Sequence, residues 1–310
     1  MNNKEVYSID LKDNYLCLST SGPGVEMYNL ETSELIFKEE PFDSAICLVK
    51  FVDDNNLFVL TEMGEITLIR NYNSIKDLDY ETVDFKSNVT ESICIENKVL
   101  IGTQEGEIHV FDIKTMETTY FQQYHKAQVT QIELKNGDLV SLSDVSLVID
   151  SFKNKIMTQK FKIPLETFSY IGNNIYALAS GSKIFIFNNK KLLWEYSIEN
   201  VHTMKNENNF LYAGGDFNFI LVIDLKNYRT FKISVETTIN EIRIIRNVLF
   251  FVSYEPIIGW LPTSNFNDIK YINLINEMDN IFDFVVNDKF IVIGGDNGHF
   301  VFDWEGKLID

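Results

Sequence analysis

Apolar residues along this chain fall in runs of four to seven, rich in Val, Ile, Phe, Tyr and Thr, and each run is broken by Asn, Asp, Gly or Ser. Runs of that length suit strands, not helices. Asn occurs 31 times, and it accepts the left-handed backbone that tight turns require. Only the segment 69–84, IRNYNSIKDLDYETVD, has spacing that fits a helix as well as a strand. The five prolines do not cluster, and no Ser/Gly-rich linker interrupts the chain, so the pattern marks no domain boundary.

The pattern repeats. An apolar strand ends near a small residue, a short turn follows, and a second strand ends in an apolar residue plus, in most cases, a polar one. Examples are VLTEMGEITLIR, IGTQEGEIHVFD, SLSDVSLVID, ALASGSKIFIFN and IGGDNGHFVFD. The closing position of the eight hairpins falls at Asn29, Arg70, Asp112, Asp150, Asn188, Asp224, Leu261 and Asp303, 36 to 42 residues apart. A further apolar strand precedes and follows each hairpin, as in VTESICI before and TTYF after the third. Four strands per roughly 40 residues is the grammar of a propeller blade. Such a sheet has two apolar faces, and stacking against neighbours buries both.

These units resemble Trp-Asp (WD) repeats. In the third, Glu105-Gly106 stands at the hairpin turn and Phe111-Asp112 where Trp-Asp usually stands. The fourth opens on His125-Lys-Ala-Gln-Val129-Thr-Gln-Ile132, matching the family's His-x-x-x-Val-x-x-Ile lead-in to the innermost strand. Trp260 occupies the Trp column, and Asp150, Asp224 and Asp303 the Asp column. The resemblance covers essentially the whole chain, although no unit carries every signature residue. It implies an all-β fold, a single β-propeller domain over residues 1–310. Eight four-stranded blades are expected, approximately 1–41, 42–85, 86–124, 125–163, 164–199, 200–236, 237–276 and 277–310. Seven, the commoner number in the family, is the alternative. VYSIDL (6–11) reads as the inner strand of the first blade, and GKLID (306–310) as a short outer strand for the last.

Composition narrows function. With 27 Lys plus Arg, of which four are Arg, against 45 Asp plus Glu, the formal charge is −18. Such a surface repels phosphate backbones and anionic membranes, so neither is an expected partner. No run reaches the roughly 18 apolar residues of a membrane helix, and MNNKEVYSID lacks a signal-peptide apolar region. An odd count of three cysteines, Cys17, Cys47 and Cys94, each inside an expected strand, argues for a reducing compartment, cytoplasm or nucleus, and against reactive thiols. The Asn88-Val-Thr90 sequon is idle there. No phosphate loop, CxxC pair, HExxH or GxSxG motif is present, and His109, His125, His202 and His299 fall in different units. No catalytic, cofactor or metal residue is assigned and no small-molecule substrate is expected. His125 is read as a structural hydrogen-bonder.

Six of the eight hairpin turns carry an acid: Glu62, Glu105, Asp144, Asp216, Glu255 and Asp296. Asp and Glu often serve turn geometry alone. As a set around one ring mouth they would focus a negative potential that speeds encounter with a basic partner. Phe217 and Tyr254, expected in those same turns, and Phe42 in a loop at the same end, are candidate anchors. The expectation is a non-enzymatic scaffold that binds a basic protein segment within an assembly such as ribosome biogenesis or chromatin. One alternative is a structural subunit of a coat, pore or assembly complex that uses the blade sides. A second is a quinoprotein-like propeller with a ligand in its channel. Lys190-Lys-Leu-Leu-Trp-Glu-Tyr196 is similar to that family's repeat, although its adjacent cysteines are absent. The longest insertions, near 71–81 and 262–270, are candidate specificity loops.

Overall fold

The computed structural model describes residues 4–22, 24–40, 42–74, 77–152 and 156–309. They form eight antiparallel sheets of sequential strands, spanning 6–39, 46–84, 89–123, 129–160, 167–197, 201–234, 241–273 and 281–302, with no helix among the described residues. Seven sheets have four strands and the eighth has three. The segment 69–84, open to either reading in the sequence, is strand at Glu65–Arg70 and Asp79–Asp84 with an irregular loop between, in which Ile75 and Lys76 lie outside the described residues.

Tight turns set the register. Of sixteen non-glycine residues with positive φ among those described, half are Asn, including Asn136, Asn173, Asn174, Asn208 and Asn247 in the turns between the first two strands of a sheet. The closing polar column works in the next turn. Asn29, Asp112, Asp150, Asp224 and Asp303 each accept a hydrogen bond from the N–H two residues on, at 2.8–2.9 Å. In the first, third, fourth and sixth sheets this caps the reversal into the outer strand.

The chain divides into two compact units. One holds sheets 1, 2, 3 and 8 (residues 1–123 and 274–310) and the other sheets 4 to 7 (residues 124–273). Within each unit, apolar layers fill the space between consecutive sheets. In the first, Cys17, Val25 and Met27 of sheet 1 pack with Val49, Leu57 and Val59 of sheet 2. In the second, Tyr212, Ile220 and Val222 of sheet 6 pack with Ile242, Leu249 and Phe251 of sheet 7. The outermost strand closes each of five layers with an apolar residue aimed at the following sheet: Phe37, Val83, Met157, Trp194 and Ile233. Full burial of a side chain such as Phe37 stabilises by about 1.5–3 kcal/mol.

The innermost strands are stitched by polar side chains. Val49 N–H donates to Ser8 Oγ at 3.2 Å and Phe51 N–H to Asp10 Oδ2 at 2.7 Å. Phe168 and Tyr170 N–H donate to Gln131 Oε1 and Glu133 Oε2 at 3.1 and 2.8 Å. Ile242 N–H donates to Thr203 Oγ1 at 3.1 Å, and Ile9 N–H to Asp283 Oδ2 at 2.9 Å. Each stitch satisfies a backbone group that the sheets' own ladders leave over.

The GKLID segment supplies less than a strand. It is reduced to a bridge between Phe302 and Leu308, with Ile309 N–H donating to Val301 O at 2.8 Å. A tight turn from Asp303 to Gly306, whose Asp303 Oδ1 also holds the Lys307 N–H, uses up the length needed for pairing. Asp310 lies outside the described residues.

Candidate functional site

The starts of the innermost strands and the hairpin turns place chemistry at one group of strand ends in the unit of sheets 4 to 7. His202, second residue of its innermost strand, sits 2.8 Å from Asp216 Oδ1 through Nε2. Tyr254 meets the same imidazole edge to face, ring centres 5.6 Å apart at 87°. Tyr254 is 53 % exposed. Partial burial and the Asp216 carboxylate raise its hydroxyl pKa above the ordinary 10. Glu255 follows it, exposed, with its backbone oxygen accepting the Ile257 N–H at 2.6 Å. Glu166 adjoins this group. Burial lifts its carboxyl pKa, while the Gly181 N–H and then His202 act in the opposite direction. Asp144 lies exposed in its turn, and its backbone oxygen accepts the Leu165 N–H at 2.7 Å. The result is an imidazole and a phenol flanked by carboxylates, with one aromatic face open to solvent.

Phe217 is the first residue of its strand, not a turn residue. It is half-buried and stacked on Phe219 at 4.5 Å, which in turn carries Lys232 Nζ 4.0 Å from its ring centre. In the other unit Glu62 and Glu105 are exposed at their turns. Asp296 is tied down locally, accepting the Asp279 N–H and Asn280 Nδ2–H, both at 3.0 Å. Phe42 is not an exposed anchor. It is 5 % exposed and packs with Phe37, Ile46 and Val49 in the layer between sheets 1 and 2, because its loop turns inward to fill the margin of that layer.

The structural positions are internal. Phe111 and Trp260 are buried, Phe111 beside Phe58 and Trp260 stacked on Phe250. Buried His125 bridges Ser146 Oγ through Nδ1 at 2.7 Å and Ser141 Oγ through Nε2 at 2.8 Å. Burial lowers its pKa to about 4. Burial also raises the thiol pKa of all three cysteines, that of Cys47 to about 12. Among the described residues no group of three or more His, Cys, Asp or Glu is arranged to hold a metal, and no helix is long and apolar enough to cross a membrane.

His202 and Glu166 are functional candidates that the sequence alone did not mark. His202 precedes Asp216 by 14 residues, the spacing of a strand start and the turn that returns to it, and that spacing is the available signal. Glu166 belongs to the preceding sheet, and nothing in the sequence pairs it with His202.

The WD40-like domain family matches residues 4–302. The chain belongs to that family. No curated protein matches it significantly. Among solved structures, Sqt1 of Saccharomyces cerevisiae is similar at 12 % identity, TM-score 0.78, over 97 % of this chain and 96 % of its own. Sqt1 of Chaetomium thermophilum, solved bound to the N-terminus of the ribosomal protein L10, gives 12 % identity and TM-score 0.78 over 97 % of both chains. The computationally designed protein Ika8 gives 14 % and 0.77 over 97 % of both. With family and fold agreeing, this WD40-like chain is an all-β propeller of eight blades, the larger of the two blade numbers that the repeat allowed.

Proposed function

We propose that this WD40-like chain is a non-enzymatic interaction scaffold that binds a basic, extended segment of a protein partner. The acidic, aromatic-bearing strand ends of sheets 4 to 7 would receive it. The observation that carries this reading is the Asp216, His202 and Tyr254 group with Glu255 beside it. A Lys or Arg stem can lie on the exposed tyrosine ring while its charge meets the carboxylates. Glu62, Glu105 and Asp144 add negative potential around their own turns, and Asp296 adds charge while serving its loop. Sqt1 lends support, since one of its structures holds the N-terminus of a ribosomal protein. A ribosomal-protein or histone tail in the cytoplasm or nucleus is therefore the partner class we favour, with no nucleic acid, membrane or small-molecule substrate involved. Peptides from the basic N-termini of ribosomal proteins, that of L10 included, provide the test by stopped-flow association. Association should slow with added salt, and Asp216→Lys combined with Glu255→Lys should slow it more than about tenfold. Unchanged rates in both experiments would remove the reading.

A second reading, docking through the blade sides within a larger complex, is favoured by a separate observation. The outermost strands expose large apolar residues, among them Leu35, Phe121, Ile156, Leu192 and Phe231, each at least 40 % exposed.

A further inference from the structure

The layer between sheets 8 and 1 is built differently from the five that an outer strand closes. Among the described residues its buried members are Val6, Ile9, Leu16, Leu18 and Leu30 from sheet 1 and Phe290, Val292 and Val301 from sheet 8, with none from a fourth strand of sheet 8. Where the other layers hold Phe37 or Ile233, this one opens into a cavity of about 270 Å³ whose mixed lining includes apolar Val6, Leu18 and Leu35, the rings of Tyr28 and His299, and polar groups such as Thr20. We propose that this cavity is a docking site for an extended segment of a partner protein, which supplies the missing side chain as a single aromatic or branched aliphatic residue.

Four features of the site argue for that occupant. The volume is below the roughly 300–1,000 Å³ of small-molecule pockets and suits one large side chain. Val6, Leu18 and Leu35 give part of the lining an apolar surface, and Tyr28 and His299 form a tilted ring pair with centres 5.4 Å apart, on which another ring can stack. The described residues at the C-terminal end, up to Ile309, do not fill the space. This segment touches the far end of the last strand, at Val301 and Phe302, and leaves Leu308 and Ile309 about half exposed at 53 % and 48 %. Finally, the rim is neutral. Lys4 and Lys38 both pair with Glu40, at 2.8 and 3.0 Å, and with Glu26, at 3.6 and 3.4 Å. Recognition at this margin therefore rests on shape and apolar contact, unlike the acidic strand ends.

The outer strands of sheets 1 and 6 show the form such a segment takes. ELIFKE and TFKIS each bury one apolar residue, Phe37 or Ile233, and the residues on either side of it, Ile36 and Lys38 or Lys232 and Ser234, are exposed. A register shift opposite Met27 and Tyr28 also prepares the rim. It leaves Phe37 paired with Met27, toward sheet 2, and pairs Leu35 with Tyr28, on the face toward sheet 8. Leu35 is consequently 49 % exposed at the mouth of the cavity, where a bound segment would cover it.

The test is selection of a phage-displayed library of random dodecapeptides against the full chain, followed by titration of a synthetic peptide from the enriched pool. Enriched sequences should share one aromatic or branched aliphatic residue at a fixed position. The peptide should shift the methyl resonances of Val6, Leu18 and Leu35. It should lose at least about tenfold in affinity to Leu35→Asp, and bind Ile36→Asp and the Asp216→Lys, Glu255→Lys double variant like the parent. Leu35 is surface-exposed, so the variant should melt like the parent. Failure of any sequence to enrich, full binding to Leu35→Asp, or shifts confined to Met27 and the layer between sheets 1 and 2 would each overturn the proposal.

Discussion

His125 is held between two serine hydroxyls, and its neutrality makes it a point of acid sensitivity. One ring nitrogen donates and the other accepts, and rotatable hydroxyls at Ser141 and Ser146 suit either tautomer. Protonation would place an unpaired charge in a site only 3 % exposed. Its pKa lies at about 4 in the fold against an ordinary 6.5, so below 6.5 the unfolded chain takes up the proton first. The stability His125 contributes is therefore complete above about pH 6.5 and is lost as pH falls toward 4, at most about 3 kcal/mol. Urea denaturation across that range should show this slope, and His125→Gln should flatten it while lowering stability at neutral pH. The cysteines behave in parallel. With the thiol pKa values raised, iodoacetamide near pH 8 should label the native chain far more slowly than the urea-unfolded chain, as mass spectrometry would read. Both roles were legible beforehand. His125 stood in a spacing that fixes its place in the repeat, and the cysteines stood inside apolar runs. His202 was not legible, because its partner Asp216 and its ring neighbour Tyr254 belong to different hairpins.

Where the second strand of each sheet ends, the chain reverses against the backbone that leads into the first strand, and this sets a size limit. The column reads Thr20, Thr61, Thr103, Ser143, Ser180, Gly215 and Gly295 in seven sheets, small residues that the repeat displays openly in the sequence. At Gly215 a Cβ would lie 1.9 Å from Asn200 O, whereas at Gly137, in a turn with φ of +81°, it would meet nothing within 4 Å. Two costs therefore separate. Gly137→Ala carries only the left-handed backbone penalty, about 1 kcal/mol. Gly215→Ala forces the Asn200 backbone aside and should cost about 2–3 kcal/mol. Asp224→Ala, which removes the acceptor of the Lys226 N–H at 2.9 Å and of Asn227 Nδ2 at 2.6 Å, should cost about 1 kcal/mol. Thermal or urea unfolding of the three variants would establish the order. These local devices could be read because each is completed within a few residues. Phe42 was misjudged for the opposite reason. Its loop looked like a surface turn, and only the neighbouring sheet's Ile46 and Val49 reveal the apolar space it fills.

At the scale of the whole molecule, seven near-equal spacings between eight hairpins were enough to count the sheets, because each sheet is a self-contained hydrogen-bonded unit. The spacings were not enough to show that the eighth sheet has three strands among the described residues, since GKLID reads as a strand until the turn from Asp303 to Gly306 is seen to consume its length. Among the described residues sheet 8 joins sheet 1 through packed side chains and hydrogen bonds. Phe290, Val292 and Val301 meet Val6, Leu16 and Leu18. Asp283 holds the Ile9 N–H, Asn287 Nδ2 donates to Asp13 O at 2.7 Å, and Lys289 Nζ to Asn14 Oδ1 at 3.0 Å. With three strands and an open outer margin, sheet 8 should be the sheet of its unit that opens most readily. Native-state hydrogen exchange should find the amides of 281–302 less protected than those of 46–84. Phe290→Ala should lower the protection of sheet 8 and of Val6–Lys12 together while leaving 46–84 near its original value, because the lost contact lies at the junction of sheets 8 and 1. A uniform fall across all of these segments would mean that the sheets unfold only as one body, and that the open margin confers no local weakness.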